Sequence, residues 1–250
     1  MSLNPEKCAE LIKSSKSTVA LTGAGISTAA GIPDFRGPKG MYVTRQYDPD
    51  KVFSLDWFEN DPTCFYEFSK DFTGTLKTLK PTYTHHFLSR LEEKNMLSAI
   101  ITQNIDILHQ LAGSRNVLEL HGSYRSATCR NCRGRLHDMD YDWWCEQIET
   151  SSASPVVLCQ KCGGVIKPDI VFFGEAVNAF GEANDLVSSC DLLLVLGSSL
   201  NVAPASLLPR YTTATTVVVN KGAVMLPAAS QRFFVDDTLD EYFAAVEKYL

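Results

Sequence analysis

The amino-acid sequence predicts an α/β fold, a doubly wound parallel sheet that carries two insertions. Short β-rich runs that are apolar on both faces recur along the chain, as strands do in a parallel sheet covered by helices on both sides. Helical patterns separate several of these runs. Two regions interrupt the alternation, one rich in Pro, Gly and aromatic residues and one that holds two pairs of cysteines.

The predicted strands are the apolar runs at residues 18–23, 98–104, 116–122, 169–175, 191–199 and 215–220. Residues 85–94 and 179–188 have the apolar spacing of helices. In a doubly wound sheet, ligands bind at the carboxyl ends of the strands. The residues that follow each run are therefore the candidates for a binding site.

The two insertions differ in composition. Residues 31–79 hold a Pro- and Gly-rich loop and then short helical patterns, which indicates a helical insertion. Residues 126–165 hold two C-x-x-C pairs with 26 residues between them. Because four such thiolates suit one tetrahedral ion, this segment is predicted to be a small zinc-ribbon domain. The Rossmann-like domain then comprises residues 1–125 and 166–250.

Cys129, Cys132, Cys159 and Cys162 are the predicted ligands of one structural zinc ion. With all four positions filled by protein, no open coordination site is left for catalysis. A redox function is the alternative, but two separate pairs disfavour it. The other cysteines stand singly and are interpreted as ordinary small residues: Cys8, Cys64, Cys145 and Cys190.

Composition and charge exclude several classes of protein. The 250 residues are 45% hydrophobic, with a formal charge of −6 and a pI of about 5.4, so no basic surface for nucleic acid or an anionic membrane is indicated. No apolar run reaches the roughly 18 residues of a membrane-spanning helix, and the amphipathic start lacks a signal-peptide core. We therefore expect a soluble cytoplasmic protein without a membrane or nucleic-acid partner. A monomer is a separate expectation that these properties do not decide.

The first polar strand end is TGAGIST, residues 22–28. Gly23 and Gly25 would let the backbone approach a phosphate pair, and the start of a following helix offers free N–H groups. The match to a dinucleotide fingerprint is incomplete, because Thr28 replaces the third glycine and no clear acidic residue ends the next strand. A plain tight turn is the alternative.

The next motif, GIPDFRG, puts Asp34, Phe35 and Arg36 on a loop. A surface Asp–Arg pair beside a core phenylalanine is the simpler interpretation. The position just after a phosphate-type turn favours ligand contact instead, because binding residues concentrate on loops held by a rigid sheet.

Amide, carboxylate and imidazole groups end two further strands. Gln103, Asn104 and Asp106 offer enough donors and acceptors to hold a carboxamide and a ribose hydroxyl. His121 ends the following run, so a parallel sheet would bring it to the same rim as Asn104. A neutral imidazole there could accept a proton from a hydroxyl. The remaining histidines lack such placement, and helix surface is predicted for most of them: His85, His86, His109 and His137.

The later strand ends carry Gly, Ser, Asn or Glu as well. Gly197, Ser198 and Ser199 could donate to a phosphate or a ribose, and Asn220 could contact an adenosine. Each is an ordinary loop by itself. Their repetition at strand ends indicates one extended ligand.

In this order, the motifs resemble those of the sirtuin family of NAD-dependent protein deacylases, most closely the bacterial-type deacetylases. The resemblance is carried by GAGIS-x3-GIPDFR, TQNID-x-LH-x2-AG, ELHG, the paired C-x-x-C, KPDIVFFGE and LGSSL-x-V-x-P. It runs from about Ser17 to Asn220. It implies an enzyme that consumes NAD to remove acetyl groups from lysine in a protein or peptide.

The resemblance also implies a role for each motif. The implied NAD contacts are Gly23, Ala24 and Gly25 at the pyrophosphate, Asp34, Phe35, Arg36 and Tyr42 on the cofactor loop, Gln103 at the ribose, Asn104, Ile105 and Asp106 around nicotinamide, His121, and Gly197, Ser198, Ser199, Asn220 and Asp236 at the adenosine half. The segments implied to hold the acetyl-lysine backbone as a strand are Val171, Phe172, Phe173 and Gly174 on one side and Asn201 and Val202 on the other.

The implied mechanism begins as nicotinamide leaves and the acetyl oxygen attacks the ribose carbon. His121 then accepts a proton, so that a ribose hydroxyl can attack the resulting imidate. Water completes the release of lysine and O-acetyl-ADP-ribose. Asn104 is implied as the second catalytic residue.

Some positions depart from the family pattern. Ile101, Ser198 and Lys167 stand where tyrosine, threonine and arginine are frequent, and all three exchanges are interpreted as tolerated. Lys221 follows Asn220 in place of a glutamate-containing pattern, which leaves the adenine-side contacts open.

The acyl group is predicted from one further position. Members that remove acidic acyl groups carry a Tyr-x-x-Arg after the cofactor loop, whereas here Tyr66 is followed by Ser69. A neutral acyl group such as acetyl is therefore favoured. Removal of another neutral acyl group, mono-ADP-ribosyl transfer, and a non-catalytic NAD-sensing or zinc-ribbon interaction module are the alternatives.

Overall fold

The computed structural model describes residues 3–33, 46–150 and 155–250. Its helices are α1 Pro5–Ser14, α2 Pro49–Val52, α3 Leu55–Asn60, α4 Thr63–Leu76, α5 Tyr83–Glu93, α6 Leu108–Leu111, α7 Tyr141–Thr150, α8 Phe180–Ser189 and α9 Leu239–Glu247, with 3₁₀ helices at Ala24–Ala30 and Ala205–Arg210. Its strands are β1 Thr18–Thr22, β2 Ala99–Thr102, β3 Val117–Glu119, β4 Gly122–Cys129, β5 Arg135–His137, β6 Ile166–Ile170, β7 Leu192–Leu196, β8 Thr215–Val219 and β9 Arg232–Val235.

The chain divides into two compact units. Unit 1 comprises Met1–Asp34, Lys80–Leu120 and Val177–Leu250, and unit 2 comprises Phe35–Leu79 and His121–Ala176. Each unit has a sheet of its own, with six strands in unit 1 and three in unit 2 within the described ranges.

The sheet of unit 1 is parallel, with the strand order β3-β2-β1-β7-β8-β9. Counted within the sheet, this is the order of a dinucleotide-binding doubly wound fold. The connections lead outward in opposite directions from β1 and β7, which are neighbours. Their carboxyl ends therefore flank the crevice where such sheets bind ligands.

Both faces of this sheet are buried. Successive residues of a strand point to opposite faces, and the buried set divides accordingly: Ala20 packs in one apolar cluster and Leu21 in another. Helices α1, α5 and α9 contribute to the first cluster, with side chains such as Phe87 and Phe243. Helix α8 contributes to the second, through Val187. The predicted doubly wound α/β fold is thus confirmed.

The sheet of unit 2 is antiparallel, with the order β5-β4-β6. Next to it lies a core of aromatic rings. Trp144 on α7 is fully buried and donates its ring N–H to the Tyr124 carbonyl at 2.7 Å. The ring of Phe65 on α4 stacks on Tyr124, with centroids 6.5 Å apart.

One predicted strand was assigned to the wrong sheet. Residues 169–175 were expected in the parallel sheet, but β6 ends at Ile170 and pairs antiparallel with β4 in unit 2. The run is apolar because Phe172 packs among the rings of Phe58 and Phe65. Of the helices in the described ranges, none is long and apolar enough to cross a membrane.

Candidate active site

The loops after β1 and β7 pack directly against each other in unit 1. The Gly25 amide donates to the Gly197 carbonyl at 2.8 Å, and the Gly23 amide donates to Leu196 at 3.0 Å. A Cβ on Gly25 would lie 2.7 Å from the Gly197 Cα. Gly197 itself has a φ of +61°, in the left-handed region that glycine tolerates. The packing of the two loops therefore requires these glycines, whatever ligand lies beside them.

A polar cluster joins the loop after β1 to the loop after β2. Ser27 donates its hydroxyl to Asp106 Oδ2 at 2.6 Å and accepts the Asn104 side-chain amide at 3.2 Å. That amide also donates to the Gly23 carbonyl at 3.2 Å. With its nitrogen committed to these two acceptors, Asn104 retains its amide oxygen for a ligand.

Asp106 is a buried carboxylate, 4% exposed. Burial raises its pKa, while hydrogen bonds from Ser27, from the Leu108 amide and from Asn104 oppose the rise. The Leu108 amide lies 3.0 Å from Oδ1 and begins α6. Asp106 is therefore both a buried acceptor and the residue that fixes the start of the next helix.

Ser27 was not among the site residues predicted from the sequence. It sits in the same TGAGIST motif as the two glycines, and the signal was available there. In a 3₁₀ helix, residues three apart lie on one face, so a helix that begins at Ala24 presents Ser27 on the same side as its first turn. The predicted helix after β1 is present as this 3₁₀ helix.

The Gln103 side chain links the ends of three neighbouring strands. Its Nε2 donates to the Thr22 carbonyl at 3.3 Å and to Ser198 Oγ at 3.0 Å. Ser198 is buried and also accepts the Leu200 amide at 3.3 Å. Polar residues after β1, β2 and β7 thus meet at one rim of the sheet.

The loop after β8 is closed by its own hydrogen bonds. The Asn220 side-chain amide donates to the carbonyls of Lys221 and Gly222 at 3.0 and 3.4 Å. Asp236 Oδ1 accepts the Gly222 amide at 3.1 Å. Asn220 lies on the turn after β8 and Asp236, which follows β9, bonds to that turn, while Lys221 takes part in it through its backbone.

The other predicted contacts of unit 1 lie on loops or at element ends. Ala24 is the first residue of the 3₁₀ helix, and Ile105 is half-buried between β2 and α6. Asn201 donates to Ser199 Oγ at 3.1 Å, beside the half-buried Val202. The predicted residues of the cofactor loop fall outside the described residues: Asp34, Phe35, Arg36 and Tyr42.

Two histidines lie next to this rim, and both are buried, so the prediction of a helix surface was wrong for them. His109 Nε2 lies 2.9 Å from the Thr22 hydroxyl. His85 Nδ1 lies 2.8 Å from the Thr82 hydroxyl, and the two imidazole rings are 4.7 Å apart. Burial lowers the pKa of His85 to about 3 and that of His109 well below its usual value.

His121 belongs to unit 2. In unit 1 the Leu120 amide donates to the Thr102 carbonyl at 2.9 Å, so β3 stays paired with β2 up to the residue before His121. His121 is half-buried, and its carbonyl accepts the Val171 amide at 2.8 Å. It thus lies between the end of β3 and the start of β4, with its backbone held to the segment that follows β6.

The segment after β6 forms a β-turn. The Glu175 amide donates to the Phe172 carbonyl at 3.0 Å. Gly174, at the third position, has a φ of +97°, which is the pattern of a type II turn. Phe173 pairs instead with the residues around the start of α3: its amide donates to the Phe53 carbonyl at 2.6 Å, and its carbonyl accepts the Leu55 amide at 3.1 Å. Its side chain is 49% exposed.

The four predicted zinc ligands lie together in unit 2. Their sulfur atoms are all within 4.8 Å of one another, with 3.5 Å between Cys129 and Cys162 and 3.9 Å between Cys132 and Cys159. Tetrahedral Zn–S bonds of about 2.3 Å require sulfur separations of about 3.8 Å. The cluster therefore fits one structural zinc ion, as predicted.

The two cysteine loops repeat the same backbone hydrogen bonds. The Cys129 amide donates to Gly134 at 2.9 Å, and the Cys159 amide donates to Gly164 at 2.8 Å. A Cβ on Gly164 would lie 3.1 Å from Cys129 Sγ. The chain is thus folded closely around the four sulfurs from both sides.

The Sir2 family model matches residues 23–204. This span covers the polar rim, the turn after β6 and all four cysteines. The chain belongs to the Sir2 family. The sirtuin resemblance drawn from the sequence motifs is confirmed.

Curated relatives are similar in sequence to this Sir2 chain over most of its length. The NAD-dependent protein deacetylase of Sulfurisphaera tokodaii is 45% identical over 204 residues, which are 82% of this chain and 78% of the relative. The NAD-dependent protein deacetylase of Thermotoga maritima is 44% identical over 218 residues, 85% of each.

Among solved structures, Sir2 with a p53 peptide and NAD+ superimposes with a TM-score of 0.86 at 38% identity and covers 98% of both chains. The Sir2 fold therefore extends over nearly the whole of this chain.

Proposed function

We propose that this protein is an NAD-dependent protein-lysine deacetylase, which transfers the acetyl group of acetyl-lysine to ADP-ribose and releases nicotinamide. The observation that carries the proposal is the cluster of Ser27, Asn104 and Asp106 at the carboxyl ends of β1 and β2, in a chain of the Sir2 family. Deacetylases at 45% and 44% identity support it.

Unit 1 supplies the NAD contacts of the proposal. Asp106 is assigned to the carboxamide of nicotinamide, because its buried carboxylate can accept an N–H and is fixed by Ser27. Asn104 is assigned to the ribose through its amide oxygen. The other assigned contacts are Gly23, Ala24, Gly25, Gln103, Ile105, Gly197, Ser198, Ser199, Asn220 and Asp236.

Unit 2 supplies the base. His121 takes a proton from a ribose hydroxyl, a role that suits a neutral imidazole because its unprotonated ring nitrogen can accept one. Because that hydroxyl belongs to NAD, His121 is also assigned a contact with NAD. The residues assigned to the acetyl-lysine backbone are Val171, Phe172, Phe173, Gly174, Asn201 and Val202.

The zinc ion has a structural role in this proposal. Four protein thiolates complete its coordination, so it stabilises the small sheet of unit 2 and takes no part in proton or acyl transfer. We expect about one zinc ion per chain by elemental analysis.

The residues of α4 that bear on acyl preference favour a neutral acyl group. Tyr66 donates its hydroxyl to the Ile166 carbonyl, and Ser69 lies 2.6 Å from the Tyr124 hydroxyl. Both side chains are thus committed inside unit 2, and neither is a cation for an acidic acyl group. Sir2Tm has been solved with a propionylated peptide, so propionyl belongs in the test beside acetyl.

The test is to incubate the protein with NAD and acylated peptides and to identify the products by mass. From an acetylated peptide we expect nicotinamide, the deacetylated peptide and O-acetyl-ADP-ribose in equal amounts. His121→Ala should abolish turnover. His137→Ala is the matched control, because His137 is an exposed histidine of the same unit, and it should leave turnover unchanged. Full activity of His121→Ala would contradict the assignment of the base.

Two other outcomes would replace the proposal. Labelled NAD that marks a protein acceptor would indicate mono-ADP-ribosyl transfer. Nicotinamide that never exceeds one equivalent per chain would indicate a non-catalytic module.

We also propose a monomer in the cytoplasm. A thiolate zinc site and unpaired cysteines suit a reducing compartment. Light scattering of the purified protein and microscopy of a tagged chain test the two statements.

A further inference from the structure

One buried cation in unit 2, Lys167, has no role in the proposed transfer of the acetyl group. The Lys167 side chain on β6 is 5% exposed. Its ammonium donates to the Glu175 carboxylate at 2.8 Å and to the Ile170 carbonyl at 2.7 Å. It also lies 3.9 Å from the centroid of the Phe172 ring. All of these partners belong to the end of β6 or to the turn that follows it.

Glu175 closes the same turn from the other side. Its carboxylate accepts the Phe172 amide at 2.8 Å, while its own amide donates to the Phe172 carbonyl at 3.0 Å. Both backbone groups of Phe172 are thus used by Glu175. Burial lowers the pKa of Lys167, and Glu175 opposes that shift, so the Lys167 charge depends on Glu175 for its place in the interior.

The hydrogen bonds of the Phe172–Glu175 turn leave the backbone groups of one residue, Gly174, without a partner in the described part of the chain. Phe173 is bonded to Phe53 and Leu55, and Phe172 to Glu175. Within residues 3–33, 46–150 and 155–250, both backbone groups of Gly174 are without a hydrogen-bond partner. Gly174 therefore presents an amide and a carbonyl together, which is what an added peptide strand needs.

From these contacts we infer that Lys167 and Glu175 are positioning residues for the acetylated peptide: they hold the Phe172–Glu175 turn so that Gly174 offers its backbone to the substrate. This rests on the proposed deacetylase function and deepens it. The pair acts through the backbone of the turn and touches neither NAD nor the acyl group.

Lysine suits this position better than arginine in this chain. Its three donors diverge from one compact nitrogen, and here they serve a carboxylate, a carbonyl and the face of a ring within 4 Å. A planar guanidinium has a fixed fork that matches one carboxylate. Lys167→Arg therefore restores the charge without restoring the set of contacts.

The test compares Lys167→Met, Lys167→Arg and the double variant Lys167→Met with Glu175→Gln. The double variant leaves no buried charge unpaired, so it remains folded if the single variant does not. We expect KM for an acetylated peptide to rise on the order of tenfold in Lys167→Met, with a smaller rise in Lys167→Arg. KM for NAD and kcat should change by less than about twofold.

Glu247→Gln is the matched control. It breaks an ion pair of unit 1, in which Arg90 donates to Glu247 at 2.7 Å, and should leave both KM values unchanged. Binding of the acetylated peptide in the absence of NAD, followed by calorimetry, should weaken in parallel with KM in the Lys167 variants.

The outcomes separate the two proposals. If the wild type neither binds nor turns over acetylated peptides, both the function and this inference fail. If the wild type does so and the folded variants have the same peptide KM, or lose kcat with both KM values unchanged, the pair is only structural and the inference alone is overturned.

Discussion

The buried histidine of α5 makes the stability of unit 1 depend on pH. His85 is fully buried, and its Nδ1 lies 3.2 Å from the Thr82 amide and 2.8 Å from the Thr82 hydroxyl. The groups that act on its charge are Asp240, which favours the imidazolium, and His86, which disfavours it. His109 stands 4.7 Å away with its own pKa lowered. Burial outweighs these effects and lowers the pKa of His85 to about 3.

The direction of the pH dependence follows from the protonation of His85 in the folded and unfolded states. The unfolded chain protonates His85 near its unperturbed pKa of about 6.5, whereas the folded chain keeps it neutral down to about pH 3. Between these values the unfolded state binds more protons, so the free energy of unfolding falls as pH falls. Between about pH 7.5 and about pH 5, His85 alone should remove about 2 kcal/mol.

The assay is urea unfolding at the two pH values, followed by far-UV circular dichroism. Fluorescence is unsuitable, because all three tryptophans belong to unit 2. His85→Gln removes the titration but keeps the capping pattern, in which the residue at this position accepts the Thr82 amide. This variant should lose about 2 kcal/mol less than the wild type between the two pH values.

His86→Gln is the matched control, since His86 is the adjacent residue and is exposed. It should lose as much stability as the wild type. If His85→Gln and the wild type lost the same amount of stability, His85 would not be a neutral buried group in the folded protein.

Three further predictions concern the rim and the zinc site. Gly25→Ala should destabilise the protein by about 1–3 kcal/mol in urea unfolding, since its Cβ meets Gly197 backbone, whereas the Cβ of Gly181→Ala meets nothing within 4 Å and should be neutral or stabilising. Cys132→Ser should release the zinc ion and lower the melting temperature, and unchanged zinc content would contradict the four-thiolate site. Ser27→Ala should lower kcat/KM for NAD by about tenfold to a hundredfold, because the buried Asp106 carboxylate loses a hydrogen-bond donor. Ser114→Ala is the control, because the Ser114 hydroxyl is buried and has no hydrogen-bond partner in the described ranges. This variant should have wild-type kinetics.

The parallel sheet was predictable because its strands are apolar on both faces. Strands β1, β2, β7 and β8 each fall within a predicted run, since a strand covered by helices on both sides needs apolar residues on both faces. The edge strand β9 escaped prediction because it begins with Arg232 and most of its residues are only half-buried. Strand β3 falls within the predicted run 116–122 although its residues are only half-buried, so an apolar run in the sequence, and not burial itself, is what identified these strands.

Apolar runs alone did not identify the sheet to which a strand belongs. Residues 169–175 look like a buried parallel strand, but the run divides at Ile170 into an antiparallel strand and a turn. The signals that separate the two are local. Lys167 and Pro168 interrupt the strand, and Gly174 followed by Glu175 marks the turn. Their meaning depends on contacts with segments that are distant in sequence, such as Phe53, and these cannot be read from the run itself.

The polar rim was predictable for a different reason. Gln103, Asn104 and Asp106 follow a strand directly, and in a parallel sheet that position fixes the edge on which they lie. Ser27 was missed because a serine inside a short helix is usually unremarkable in sequence. His109 was missed because its partner, the Thr22 hydroxyl, lies on another element. His85 was missed although its partner Thr82 caps the same helix three residues earlier, because a histidine stands where a capping box usually has Glu or Gln.

The incomplete glycine fingerprint has a structural explanation. In dinucleotide-binding folds the third glycine permits close packing of the first α-helix against the sheet. Here the chain after β1 enters a 3₁₀ helix, and Thr28, at the position of that glycine, is exposed and bonds to the Gly25 carbonyl at 2.9 Å. A side chain is tolerated at this position because it is exposed. Glycine is required instead at Gly25 and Gly197, where two loops meet, so the motif in this chain records the contact between β1 and β7 loops more directly than the position of a phosphate.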